Sequence, residues 1–116
     1  MDFFELGGAI GILGGFMAML YVPFPSQKEA QEVSSKLLSL KLIACSNIVQ
    51  STSIYNWKGK MVRGKEFIAF MKTTKSRVGA AKKAILEMHS YEVPCVLELK
   101  GKANLEYEKW AAKICS

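Results

Sequence analysis

The sequence predicts an α+β domain in which two helices cover one face of a four-stranded sheet. Three observations carry that expectation. Stretches that alternate apolar and polar residues interchange with stretches of helical periodicity, in the order strand, helix, strand, strand, helix, strand. One of them, Ser53 to Arg77, reads as a single long β-hairpin. At 116 residues, half of them apolar, the chain is one domain with enough apolar surface for a core.

Residues 1–16 are expected to form an apolar N-terminal extension, and residues 17–116 the folded domain. Leu6 to Phe24 carries no charge over 19 residues, long enough to span a bilayer. Asp2 and Glu5 precede it, whereas a signal peptide starts basic. Gly7, Gly8, Gly11, Gly14 and Gly15 weaken both its hydrophobicity and its helix propensity. Its C-terminal end is also needed as a strand. No membrane insertion is therefore expected.

The first strand is read from Met17 to Phe24 and is stopped by Pro23 and Pro25. Ser26 and Glu29 have the spacing of a capping box, in which Glu29 reaches back over the helix start. Ala30, Val33, Leu37 and Leu38 form the buried stripe of the first helix, which ends near Lys41. Ile43 to Trp57 is a long strand. Lys58-Gly59-Lys60 is the turn, and Gly59 is suited to positive φ. The return strand runs from Met61 to Thr74, with an irregularity expected at Arg63-Gly64. Phe67, Ala69, Met71 and Thr73 share one face of it, and Ile68, Phe70 and Lys72 the other.

Ser76 is the expected cap of the second helix, whose buried stripe is Val78, Ala81, Ile85 and Met88. Val93 to Leu99 is read as the last strand. Asn104 caps a short C-terminal helix with Glu106 in its first turn. Tyr107, Trp110, Ala111 and Ile114 are its apolar side. This order is the split-βαβ, ferredoxin-like arrangement with an added helix. Both faces of the hairpin strands carry large apolar residues, so the face away from the helices needs a second cover.

Three stretches of the sequence resemble the CutA family, the divalent-cation tolerance proteins. Ser53-Ile54-Tyr55-Asn56-Trp57-Lys58-Gly59-Lys60 is similar to the family's S-I-Y-x-W-x-G-K. Lys72-Thr73-Thr74-Lys75-Ser76-Arg77 is similar to K-T-T-x-S-R, and His89-Ser90-Tyr91-Glu92-Val93-Pro94 to H-P-Y-E-V-P. The resemblance spans Leu20 to Trp110. It implies a cytoplasmic homotrimer whose subunits cover one another's open sheet faces. It also implies weak binding of copper or another divalent cation and no catalytic turnover.

Candidate metal ligands follow from the same resemblance. His89 and Glu92 match the motif associated with metal binding, and Cys45 matches a cysteine common after the first helix. Imidazole, carboxylate and thiolate together suit a borderline or soft divalent metal. Cys95 is a further nearby donor. Two departures are visible: Ser90 stands where the motif has proline, and Leu20-Tyr21-Val22-Pro23 lacks the cysteine some members carry there. The competing reading makes His89 a helix-end residue and both cysteines core filler.

Ser53, Tyr55, Trp57, Lys72, Tyr91 and Trp110 are the expected trimer-interface residues. The four aromatic ones could also stack on a ligand, but large amphipathic rings more often anchor interfaces. Lys72, on a mostly apolar strand, is expected to pair with a carboxylate across that interface.

Other function classes fit less well. The chain has one histidine, His89, and one aspartate, Asp2, and no nucleophile motif accompanies them. GGAIGILGG precedes a strand instead of following one, the wrong context for a phosphate loop. The net charge of +6 is spread as scattered lysines, so a nucleic-acid patch is not expected. Three cysteines without a CxxC pair argue against a disulfide framework or a thiolate zinc cluster and for reduced thiols in a cytosol. Two alternatives share the topology. One is a PII-like trimer that binds a small signalling molecule. The other is an RNA-recognition module in which Tyr21 and Phe67 stack bases on the open face.

Overall fold

The computed structural model describes residues 17–116. The expected N-terminal extension, residues 1–16, lies outside the described residues. The elements are β1 (Met17–Phe24), α1 (Gln27–Ser39), β2 (Cys45–Trp57), β3 (Lys60–Thr74), α2 (Val78–Met88), β4 (Leu97–Gly101) and α3 (Leu105–Ile114). The strands form one antiparallel sheet in the order β2-β3-β1-β4. This is the split-βαβ topology read from the sequence. No helix among the described residues is long and apolar enough to cross a membrane.

Strand parity decides what the sheet buries. Leu20, Val22 and Phe24 of β1 stand opposite Met71, Ala69 and Phe67 of β3. With Ala30, Val33 and Leu37 of α1 and Ala81 and Ile85 of α2 they form the main core. At roughly 25 cal/mol per Å² of apolar surface removed from water, such burial is the main stabilising term. The opposite parity, Met19, Tyr21, Phe70, Lys72, Leu97 and Leu99, faces away from α1 and α2. Phe67 belongs to the helix-covered face, so it cannot join Tyr21 in a base-stacking pair. That removes the contact on which the RNA-recognition reading depended.

The hairpin is regular. Its register runs without interruption from Cys45↔Lys72 to Trp57↔Lys60, with Gly64 opposite Ser53, so no irregularity occurs at Arg63-Gly64. Lys58 and Gly59 both have positive φ, 51° and 79°, the conformation a two-residue turn needs to match strand twist. Beyond Phe67 toward the tip, β3 pairs with β2 alone, because β1 ends at Phe24.

Several local expectations change. The Ser26 hydroxyl accepts the Glu29 N–H at 3.1 Å, as a capping box requires, but the Glu29 side chain points elsewhere. Leu38 is exposed, and Ser34 takes the buried place beside Leu37 by exchanging a 2.8 Å hydrogen bond with Ser46. Arg77, not Ser76, is the N-cap of α2 and makes no side-chain cap bond; the Ser76 hydroxyl meets that of Thr74. Asn104 holds the N-cap position of α3 without a side-chain bond, and Glu108 instead accepts the Ala103 N–H at 2.9 Å. β4 begins at Leu97, four residues later than Val93.

The C-terminal helix fills a second, smaller core with Met17, Ala44, Ala111 and Cys115. Arg77 Nε donates to the Cys115 carbonyl at 2.6 Å and fastens the helix end to the start of α2. Lys72 finds its partner there as well. Its Nζ lies 5.3 Å from the Tyr107 ring centre, a cation–π contact within the chain instead of the expected carboxylate pair.

Candidate functional site

The functional residues gather where β1 ends and the chain leaves α2. Beyond Tyr21 no strand among the described residues flanks the outer edge of β1, since β4 pairs only with Met17 to Tyr21. His89, the C-cap residue of α2, serves that edge instead. Its ring is buried and stacks on Phe24, with centroids 4.5 Å apart and planes at 11°. Nε2–H donates to the Pro23 carbonyl at 2.8 Å, and Nδ1 accepts the Tyr91 N–H at 3.1 Å. Both ring nitrogens are thus spent on backbone groups, and the pattern requires the Nε2–H tautomer.

Glu29 closes the same corner from α1. Its carboxylate accepts the Ser90 N–H at 3.0 Å and the Ser90 hydroxyl at 2.7 Å. A proline at position 90 would supply neither donor, so this clamp depends on the serine. Glu29 Oε2 also stands 3.8 Å from His89 Nδ1. Tyr91 then turns toward the hairpin. Its ring lies 4.8 Å from that of His89, and its hydroxyl donates to Glu66 Oε2 at 2.7 Å.

A cavity of about 330 Å³ opens beside this contact. Tyr55, Trp57 and Tyr91 supply aromatic wall, Glu66 and Glu92 carboxylates, and Pro23, Val93 and Cys95 the remainder. Glu66 was not singled out from the sequence. The available signal was parity: it shares the face of Ile68, Phe70 and Lys72, opposite Ser51, as the one carboxylate among them.

The family model for CutA1 divalent ion tolerance protein matches residues 18–114. The chain belongs to the CutA1 divalent ion tolerance family. A divalent-cation tolerance protein CutA of Thermotoga maritima is 38% identical over 95 residues, covering 81% of this chain and 94% of that one. Its counterpart in Thermococcus kodakarensis is 36% identical over 97 residues, covering 83% and 93%. The solved structure of a periplasmic divalent cation tolerance protein CutA from Archaeoglobus fulgidus superposes with a TM-score of 0.83 at 29% identity, over 86% of this chain and 99% of that one.

In this CutA1 family chain the three candidate metal ligands do not converge within one subunit. Cys45 opens β2 and stands in register with Lys72 and, one strand further, Met19. His89 sits at Pro23, four residues along β1, about 13 Å away along the strand and two strands over. The Cys45 thiol donates to Asn47 Oδ1 at 3.7 Å. Glu92 is exposed and lines the cavity with Cys95. Among the described residues no three His, Cys, Asp or Glu side chains form a group able to hold a metal ion. The donors of one chain therefore do not fit a resident metal, and His89 is committed to the backbone.

Of the six expected interface residues in this CutA1 family member, Ser53, Tyr55 and Trp57 share the open face of the hairpin, and Tyr91 faces them across the cavity. Lys72 lies under Tyr107. Trp110 is on α3 and exposed, with its ring 5.3 Å from that of Tyr107. Burial, and then the hydrogen bond to the Glu66 carboxylate, push the Tyr91 phenol well above its usual range. A pKa raised in the folded state gives stability that is present below the unfolded value and lost as pH rises past it. Stability should therefore fall above about pH 10, the ordinary tyrosine pKa. Tyr91→Phe should flatten that alkaline slope in urea titrations, and an unchanged slope would show that the phenol is not the group responsible.

Proposed function

We propose that this chain works in divalent-cation tolerance as a cytoplasmic homotrimer without turnover, meeting copper and other divalent cations as weakly held ions. The observation that carries the assembly is a sheet face left open among the described residues. Leu97, Leu99 and Val49 are exposed on it around the edge-to-face pair of Tyr21 and Phe70. An apolar face of this kind normally marks an interface, and a closed ring of like subunits covers it without leaving a free copy of the same surface. Exposed Tyr55 and Trp57 extend the surface along the hairpin.

The absence of turnover is supported by His89. The one imidazole has both nitrogens in backbone hydrogen bonds and so is not free to carry protons. Cytoplasmic residence is supported by three free thiols on separate parts of the fold. Weak metal contact is supported by donors that are accessible but scattered: the half-buried Cys45 thiol and the exposed Glu92 and Cys95.

Light scattering at micromolar concentration should give three times the 12.9 kDa chain mass. A monodisperse monomer would refute the assembly. Copper titration by calorimetry should show weak binding, stronger than zinc by the usual divalent order. Cys45→Ser should weaken it, while His89→Ala should leave it unchanged. Loss of copper binding in His89→Ala alone would return the ring to the metal site.

A further inference from the structure

We propose that the cavity between the hairpin and the loop after α2 is a binding site for a small organic ammonium ion. Its size, about 330 Å³, lies within the range of small-molecule sites. Its chemistry is selective. Three aromatic rings, Tyr55, Trp57 and Tyr91, line it together with two carboxylates, Glu66 and Glu92, and the Lys58 Nζ already rests 5.8 Å from the Trp57 ring centre, a contact with a cation at the rim of the site. The chain as a whole carries +6, yet no lysine or arginine lines this cavity. A local negative site on a basic protein disfavours anions and favours a cation.

The remaining observations narrow the cation. Tyr91 holds Glu66 through Oε2, which fixes the carboxylate in one orientation, and Oε1 has no partner among the described residues. A bound ammonium would take a charge-assisted hydrogen bond from its own N–H to that oxygen while its carbon skeleton lies on the rings. A hard divalent ion needs six or more oxygen ligands, and the two carboxylates here belong to no three-donor group. An organic cation matches both halves of the wall, the aromatic and the acidic. All the lining residues come from one chain, and because Tyr55 and Trp57 also belong to the surface proposed for assembly, binding is read together with the subunit mass.

The probes are 2-phenylethylammonium and its neutral counterpart 2-phenylethanol, titrated at neutral pH. Trp110→Phe removes the second tryptophan, so fluorescence then reports Trp57 alone. The ammonium should bind at least about tenfold more tightly than the alcohol, the factor expected of one charge-assisted contact. Glu66→Gln, which still accepts the Tyr91 hydroxyl, should remove most of that difference and leave the alcohol unaffected. Glu92→Gln, at an exposed position, should reduce it less. Equal binding of the two probes, no binding by either at 10 mM, or a preference unchanged in both variants would each overturn the proposal. Light scattering on the same samples separates these results from any change in assembly.

Discussion

His89→Ala is expected to destabilise the fold by about 3–4 kcal/mol in urea unfolding at fixed protein concentration. Three losses combine. The stack on Phe24 disappears from the wall of the main core. The Pro23 carbonyl loses its 2.8 Å donor at an edge where β4 no longer reaches. The Tyr91 N–H loses its acceptor, which loosens the residue that orients Glu66. A buried polar group left without its partner costs about 1–3 kcal/mol, and deleting a large buried side chain adds a cavity term. His89→Phe retains the stacking but neither hydrogen bond, and should recover only part of the loss. A cost below 1 kcal/mol for His89→Ala would mean that water replaces the ring at the edge of β1.

The second large effect is on assembly. Phe70→Glu should convert the proposed trimer to monomers while the monomer keeps its secondary structure. Phe70 sits near the centre of the open face and touches Tyr21 edge-on at 5.6 Å. Among the described residues of a single subunit that face is open, so a carboxylate there is tolerated. In a closed ring it would be buried without a partner, at a cost of several kcal/mol per subunit. Size-exclusion with light scattering reads the mass, and circular dichroism reads the fold. A variant that remains trimeric would place the subunit contact on another surface.

Most of the fold was legible because burial imposes periodicity. β1 and the stripe of α2 followed from apolar spacing, and the turn from Gly59, although Lys58 also adopts positive φ. The errors arose where a three-dimensional partner outcompeted a local one. Glu29 has capping-box spacing but is drawn to Ser90, which is remote in sequence. Val93 to Val96 reads as strand, yet β1 offers no rung there, because His89 occupies its outer edge. Lys72 meets the aromatic face of Tyr107 because α3 docks beside β3. The site was legible in its residue types and not in its grouping. Cys45 and His89 belong to opposite parts of the sheet, while Glu66 and Tyr91 meet across 25 positions of sequence.

The distal half of the hairpin has a consequence for dynamics. Among the described residues, 51–57 and 60–66 pair only with each other, and the described chain extends 54 Å along its longest axis but 25 and 21 Å along the others. Its radius of gyration, 16.0 Å, exceeds the roughly 13 Å of a compact domain of this size. A two-stranded ribbon is marginal in water by itself. Amide protons of this arm should exchange by local opening rather than by global unfolding, with a free energy well below that of the core strands. Burial of the ribbon against a neighbour would raise that opening energy. The arm's exchange rate then becomes a concentration-dependent gauge of association, readable residue by residue.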